Sequence, residues 1–307
     1  MTDNKCILCE SSDIEIKEKL DVAIINKLYK SRANISTAKF FKQPEINVCK
    51  CNSCELLYYS PQILGDGAFY EELQNYEGYY LEEKTDYLEA SKYVKESDNV
   101  LEIGCGAGFF TNYIKAKSYT GIEYNDQAIS IAQSKNLNVV KQSIQAHALD
   151  NFEKYDVVCF FQVLEHIDTP NEFIQDALKC LKKGGKLIFA VPAEDSFIAD
   201  AINLYLNMPP HHVSKWKDKV FEKIAQIFNI KLLNITHEPL QPVHEEFYFK
   251  VNLFKKIRKM MGISFKSLDN SLLSQLLYVI VVIISKIKKN NSEIPKIGQS
   301  VIAIYDK

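Results

Sequence analysis

The chain has 307 residues, 47% of them hydrophobic and 25% charged, which is enough for one large domain or two smaller ones with a proper core. Its formal net charge of −2 at pH 7 argues against a general polyanion binder. The stretch from Met1 to Leu20 is polar and acidic, and the longest apolar run, Leu276 to Ile284, is far short of the roughly 18 residues that span a bilayer. A cytoplasmic protein without a secretory signal is expected.

In a reducing compartment the eight cysteines are not expected to form disulfides. Cys6, Cys9, Cys49, Cys51 and Cys54 crowd into the first fifth of the chain. Cys6-x-x-Cys9 and Cys51-x-x-Cys54 have the spacing that folds two thiolates each onto one tetrahedral Zn²⁺. Cys49 competes with Cys51, but only Cys51 makes the two-residue spacing with Cys54. Glu10 and Glu55 stand where such knuckles usually carry glycine, so less regular turns are expected. Cys105, Cys159 and Cys180 read as buried thiols. Strand-like segments at Ile46 to Cys49 and Leu56 to Tyr59, closed by Pro61 and Gly65-Asp66-Gly67, complete a module over residues 1–60.

Residues 61–98 form an acidic, aromatic linker with ten acids against three lysines, running through Phe69, Tyr70, Tyr76, Tyr79, Tyr80 and Tyr87. A helix is predicted from Leu81 to Lys95, burying Leu81, Leu88, Ala90, Tyr93 and Val94. Its aromatic rings either pack on the domain that follows or cover a ligand.

From Asn99 strands and helices alternate, which predicts a mostly parallel sheet covered on both faces. Strands are expected at Val100 to Ile103, Tyr119 to Glu123, Asn138 to Lys141, Tyr155 to Phe161, Lys186 to Val191, Ile230 to Ile235 and Ser300 to Tyr305. Helices are expected at Phe109 to Ala116, at Asp126 to Lys135, and from a Thr169-Pro170-Asn171-Glu172 capping box to Lys183. The first strand runs into Gly104-Cys105-Gly106-Ala107-Gly108, where missing Cβ atoms allow a tight turn and close backbone approach to a ligand. The second ends in Glu123, where a carboxylate can accept both hydroxyls of a ribose. Together they indicate a nucleoside cofactor. The glycines alternate instead of following Gly-x-Gly-x-x-Gly, and Glu102 would repel a pyrophosphate but suits an ammonium.

This string resembles motif I of the class I S-adenosylmethionine (SAM) methyltransferases. The resemblance implies a Rossmann-like α/β sheet of seven strands, the last inserted antiparallel, with a methionine moiety held at Glu102, Gly104, Cys105, Gly106 and Gly108. Glu123 would take the ribose, Tyr124 would stack along the adenine, and Gln142 or Ser143 would reach its edge. Gln162, at the end of the fourth strand, would line the methyl path. Glu165 and His166 look like a structural feature of the loop there.

Between the sixth and seventh strands, residues 240–298 form an insertion with a basic stretch and an apolar one. Lys250 to Lys289 holds nine lysines or arginines and a single acid, Asp269, and Leu272 to Ile284 is apolar on every side. A peripheral contact with the inner face of a membrane through residues 250–289, a buried capping helix, and a homodimer interface are all open.

A general base is expected in Met208-Pro209-Pro210-His211-His212-Val213-Ser214-Lys215-Trp216. A sugar hydroxyl is a weak acid, and imidazole takes protons near neutral pH, so His211 or His212 would act and Trp216 would offer a face to the sugar. One of the pair could instead cap the following helix. The paired knuckles, the Tyr-Tyr segment, motif I and Pro-Pro-His-His together resemble bacterial zinc-module methyltransferases of surface polysaccharides and deoxysugars. A sister group methylating carbon on nucleotide-linked keto-sugars carries Tyr-His-Glu-His there. Its absence shifts the expected acceptor to oxygen. The division expected is 1–60, 61–98, a core over 99–239, the insertion 240–298 and a last strand in 299–307. The substrate would be a sugar or glycan precursor, nucleotide- or lipid-linked, and not nucleic acid. The rivals are RNA and lipid or quinone methyltransferases, and a SAM-binding scaffold. With nine basic and eight acidic residues in 1–60, no basic stripe supports RNA.

Overall fold

The computed structural model describes residues 5–74, 85–287 and 297–307. It begins with two elements that sequence reading missed. Strand β1 (Ile14–Asp21) leads directly into helix α1 (Val22–Ala33), capped by the Asp21 carboxylate on the Ala23 N–H. Alternating charges hide β1, since Leu20 is its only buried residue. Strands β2 (Glu45–Cys51) and β3 (Leu57–Ser60) follow, and β2 pairs antiparallel with both neighbours. Helices α2 (Gly67–Gln74) and α3 (Thr85–Ser91) lie within the 61–98 linker; Tyr76, Tyr79, Tyr80 and Leu81 lie outside the described residues. Helix α3 turns Asp86, Tyr87 and Ala90 inward, so Leu88, expected to be buried, is on the outer face and 55% exposed.

The core then runs β4 (Asn99–Ile103), β5 (Ser118–Glu123), α4 (Asp126–Ser134), β6 (Val139–Lys141), α5 (Ile144–Asp150), β7 (Tyr155–Phe161), α6 (Pro170–Cys180) and β8 (Leu181–Pro192). After it come β9 (Ser214–Lys215), α7 (Asp218–Ile227), β10 (Lys231–Pro239), α8 (Glu245–Met260), α9 (Leu272–Ile287) and β11 (Ile297–Asp306). Seven strands form one sheet in the order β10-β11-β8-β7-β4-β5-β6, parallel except that β11 is antiparallel to β8 and β10. This is the sheet that the motif I resemblance implied. Strands β7 and β8 are apolar on both faces because both are covered: Phe160 and Phe189 pack with Phe173 and Phe221, while Phe161 packs with Tyr87 and Phe110.

Three local expectations fail. No α-helix follows the glycine turn; Phe109–Tyr113 is a short 3-10 turn, and Ile114 is already extended. Thr169 does not cap α6 with its hydroxyl, because its backbone (φ −120°, ψ 60°) departs from extended cap geometry and Pro170 opens the helix unaided. That helix stops at Cys180, where Leu181 turns extended to join β8.

The four-stranded sheet β1-β2-β3-β9 takes its last strand from the segment that follows His211 and His212. Leu57 and Tyr58 pair with Lys215 and Ser214, and the Tyr59 N–H donates to the Val213 carbonyl at 3.0 Å. Tyr29 and Tyr59 donate their hydroxyls to the carbonyls of Met208 and Asn207. The N-terminal sheet therefore cradles the Pro-Pro-His-His segment.

Candidate functional site

The cysteine knuckles meet. Cys6 Sγ lies 3.5 Å from Cys54 Sγ and Cys9 Sγ 3.5 Å from Cys51 Sγ, and all four sulfurs fall within 4.8 Å of one another. Thiolates at about 2.3 Å from a tetrahedral Zn²⁺ stand about 3.8 Å apart, so this donor set fits zinc with little movement. The two turns match each other: the Glu10 and Glu55 N–H groups donate to the carbonyls of Cys6 and Cys51. Glu10 and Glu55 adopt φ of 59° and 68°, the left-handed geometry glycine would take, so the expected irregularity is absent. Cys49 is buried between Ile16 and Tyr58 on the neighbouring strands, outside the cluster.

In the turn that follows β4, Gly104, Gly106 and Gly108 have φ of 68°, 52° and 73°. The N–H groups of Gly104 and Cys105 both donate to the Ile122 carbonyl at the end of β5. A Cβ at Gly104 would stand 2.6 Å from Val163 Cγ2. Glu123 ties the turn down: one carboxylate oxygen accepts the Gly106 N–H at 2.8 Å, the other those of Tyr124 and Asn125 at 2.6 and 2.9 Å. Glu102 is buried and accepts the Tyr119 hydroxyl at 2.5 Å. Tyr124 is 63% exposed beside this turn.

The other residues expected at the cofactor make these contacts. The Cys105 thiol turns into the core against Gly121, where burial pushes it up, so Cys105 offers the site its backbone alone. Ser143 caps α5 through its hydroxyl, and Gln142 Oε1 meets His147 Nδ1 at 3.0 Å. Gln162, at φ 59°, directs its amide to Ser300 Oγ (3.0 Å) and Asp86 Oδ2 (3.4 Å). This network joins α3, β7 and β11, and Asp86 and Ser300 carried no local sequence signal.

The histidines gather where the loop after β7 meets the segment before β9. Val163, which packs on Gly104, begins the turn containing Leu164–His166. His166 Nδ1 donates to the His211 carbonyl at 2.7 Å, and the Val213 N–H donates to the Glu165 carbonyl at 2.8 Å. His211 Nδ1 meets the Leu206 carbonyl at 2.8 Å, and His212 Nδ1 meets Asn207 Oδ1 at 3.0 Å. Burial pushes His166 down to about 4 and His211 to about 3, and takes His212 well below its ordinary value. All three rings are thus neutral near pH 7. His166, read from sequence as a structural loop residue, stands with the expected pair, and Tyr70 places its hydroxyl 3.4 Å from both His166 Nδ1 and the His211 carbonyl. Neither His211 nor His212 caps a helix, since β9 intervenes before α7. Trp216 offers no face to a ligand: it is fully buried, with its indole N–H on Ser214 Oγ.

Residues 73–234 match the family described as "Methyltransferase domain". A SAM-dependent methyltransferase from Archaeoglobus fulgidus aligns over 79% of this chain and 100% of its own, with a TM-score of 0.51 at 20% identity, a likeness of fold. The ubiquinone biosynthesis O-methyltransferase of Cronobacter sakazakii is 28% identical over 99 residues, 30% of this chain and 41% of that enzyme. The mitochondrial enzyme of that name from Dictyostelium discoideum is 28% identical over 113 residues, 31% of this chain and 35% of its own. The chain thus spans less than half the length of these curated relatives. With the glycine turn, the acid after β5 and the antiparallel last strand all in place, the chain belongs to the class I SAM-dependent methyltransferases.

Proposed function

We propose that the chain methylates a hydroxyl oxygen of a sugar in a capsule, lipopolysaccharide or other glycan precursor. The observation that carries this reading is the cluster of neutral imidazoles joined to the glycine turn through Val163. Bound at that turn, SAM supplies an electrophilic methyl on a sulfonium. Glu102, Gly104, Gly106, Gly108, Glu123 and Tyr124 orient it, and the acceptor oxygen is held in line. Nε2 of His211 or His212, the nitrogen left unprotonated by the bond at Nδ1, would take the hydroxyl proton as the methyl passes from sulfur to oxygen, burial making each ring a weaker base than a free imidazole. Zinc on Cys6, Cys9, Cys51 and Cys54 would be structural, all four positions being protein ligands.

A second reading, a lipid or quinone acceptor, is favoured by α9. Its inner face buries Ser274, Leu277 and Val281, while Leu272, Leu273, Leu276, Val279, Ile280 and Ile283 are exposed. So wide an apolar face beside the lysines of α8 suits an anionic membrane surface. No helix among the described residues is long and apolar enough to cross one.

Radiolabelled SAM and a bacterial glycan-precursor extract test both. Label recovered as an O-methyl sugar after acid hydrolysis supports the main reading. Label in the quinone fraction supports the second, and label on sugar carbon refutes the oxygen assignment. Cosedimentation with anionic liposomes that Leu276→Glu abolishes would place the chain on membranes, whereas a dimer that the same variant splits would assign α9 to a second copy.

A further inference from the structure

A single proton acceptor needs one imidazole, and here three converge. One ring nitrogen each of His166, His211 and His212 lies within 4.8 Å of the others, and the ring centroids are separated by 4.7, 4.8 and 4.3 Å. Each Nδ1 faces an oxygen: the carbonyls of His211 and Leu206, and Asn207 Oδ1. A carbonyl can only accept, so His166 and His211 carry their protons on Nδ1 and their lone pairs on Nε2. Asn207 is oriented by Glu194, whose carboxylate accepts from Nδ2 at 3.5 Å, which turns Oδ1 to His212 and fixes the same tautomer there. Metal-binding histidines are held in this way, one ring N–H spent on an oxygen and the other nitrogen presented to the ion. The Glu165 carboxylate, its Oε1 3.9 Å from His166 Nε2, lies outside the cluster.

We propose that His166, His211 and His212 bind a divalent transition-metal ion, Zn²⁺ or Co²⁺, through their Nε2 atoms, with water completing the coordination. Three neutral imidazoles suit these ions. Nitrogens on a tetrahedral ion stand about 3.4 Å apart, so rings whose centroids lie 4.3 to 4.8 Å apart would adjust to share one. The site is separate from the four-thiolate cluster and arises only where the loop after β7 meets the segment before β9, forty-five residues on in the chain. This inference goes beyond the methyl-transfer reading: binding does not depend on the acceptor, and since a neutral imidazole has one lone pair, holding the ion and accepting the proton are alternative roles for these rings.

The test loads the full-length chain with a single equivalent of Zn²⁺, which the four thiolates take first, then adds Co²⁺, dialyses, and measures metal content and absorption. About one Co²⁺ per chain should remain beside the zinc, with visible d–d bands and without the near-ultraviolet charge-transfer bands of thiolate ligation. His166→Gln and His212→Gln should lose that ion, and His237→Gln, on β10 outside the cluster, should keep it. The proposal is overturned if no Co²⁺ stays beside the zinc, if its spectrum shows thiolate ligands, or if both cluster variants retain it. Should the variants fail to fold, the stoichiometry and spectrum of the unaltered chain decide. Methyl transfer that fails while cobalt binds normally would refute the proposed function and leave this site standing.

Discussion

Glu123 carries the sharpest prediction about the cofactor. Its carboxylate accepts three backbone N–H groups, from Gly106, Tyr124 and Asn125, and so sits at the junction of β5 and the glycine turn. With three of its roughly four acceptor sites taken, as the ribose acceptor it would add one charge-assisted bond to a hydroxyl, worth about 1.5–3 kcal/mol. Glu123→Ala should therefore raise the dissociation constant of S-adenosylhomocysteine by roughly 10–150-fold. The same change strips the Gly106 N–H of its partner, so a stability loss of about 1 kcal/mol should accompany it. The turn itself should survive, because the Gly104 and Cys105 N–H groups remain on the Ile122 carbonyl. Glu123→Gln keeps an accepting oxygen and should fall between the two in affinity. Titration calorimetry, with thermal melts to verify folding, measures both effects. Unchanged affinity in a folded Glu123→Ala chain would remove this carboxylate from the cofactor site.

Metal analysis of the cysteine cluster should find about one Zn²⁺ per chain, lost in Cys51→Ser and kept in Cys49→Ser; equal retention would mean the wrong ligand set. Gly108→Ala forces alanine to φ 73° and puts its Cβ 2.4 Å from Leu137 Cδ1. It should cost about 1–3 kcal/mol in denaturant unfolding, and an unshifted midpoint would refute the strain argument. In the insertion, burial opposes the charge of Asp269, yet the Arg258 guanidinium 2.6 Å away and Ser271 hold its carboxyl down at about 2. Because the folded value lies below the unfolded one, this stabilisation is present above about pH 4 and lost as pH falls toward about 2. It amounts to about 2 kcal/mol. Asp269→Asn should lower stability at neutral pH and flatten its decline across that window, which urea midpoints measured through it would check; parallel declines would refute it.

The sequence by itself determined the sheet and the turn at its edge. Runs such as Tyr155 to Phe161 are apolar at every position because a strand covered on both faces has no polar side, and that pattern is local. Gly104, Gly106 and Gly108 were legible for the same reason: a left-handed backbone selects its residue on the spot. The pairing of two Cys-x-x-Cys knuckles was readable too, since each already folds its sulfurs to one side. What lay beyond reach were features made by contact between distant segments. Strand β1 is mostly solvent-facing and exists because β2 supplies its partners. Trp216 is buried instead of facing a ligand because β9 was drawn into the N-terminal sheet. His166 joined His211 and His212 only because the loops after β7 and before β9 share backbone hydrogen bonds. Local periodicity encodes which face of an element is apolar, whereas the meeting of three imidazoles depends on the closure of the whole sheet, and no short window of residues contains it.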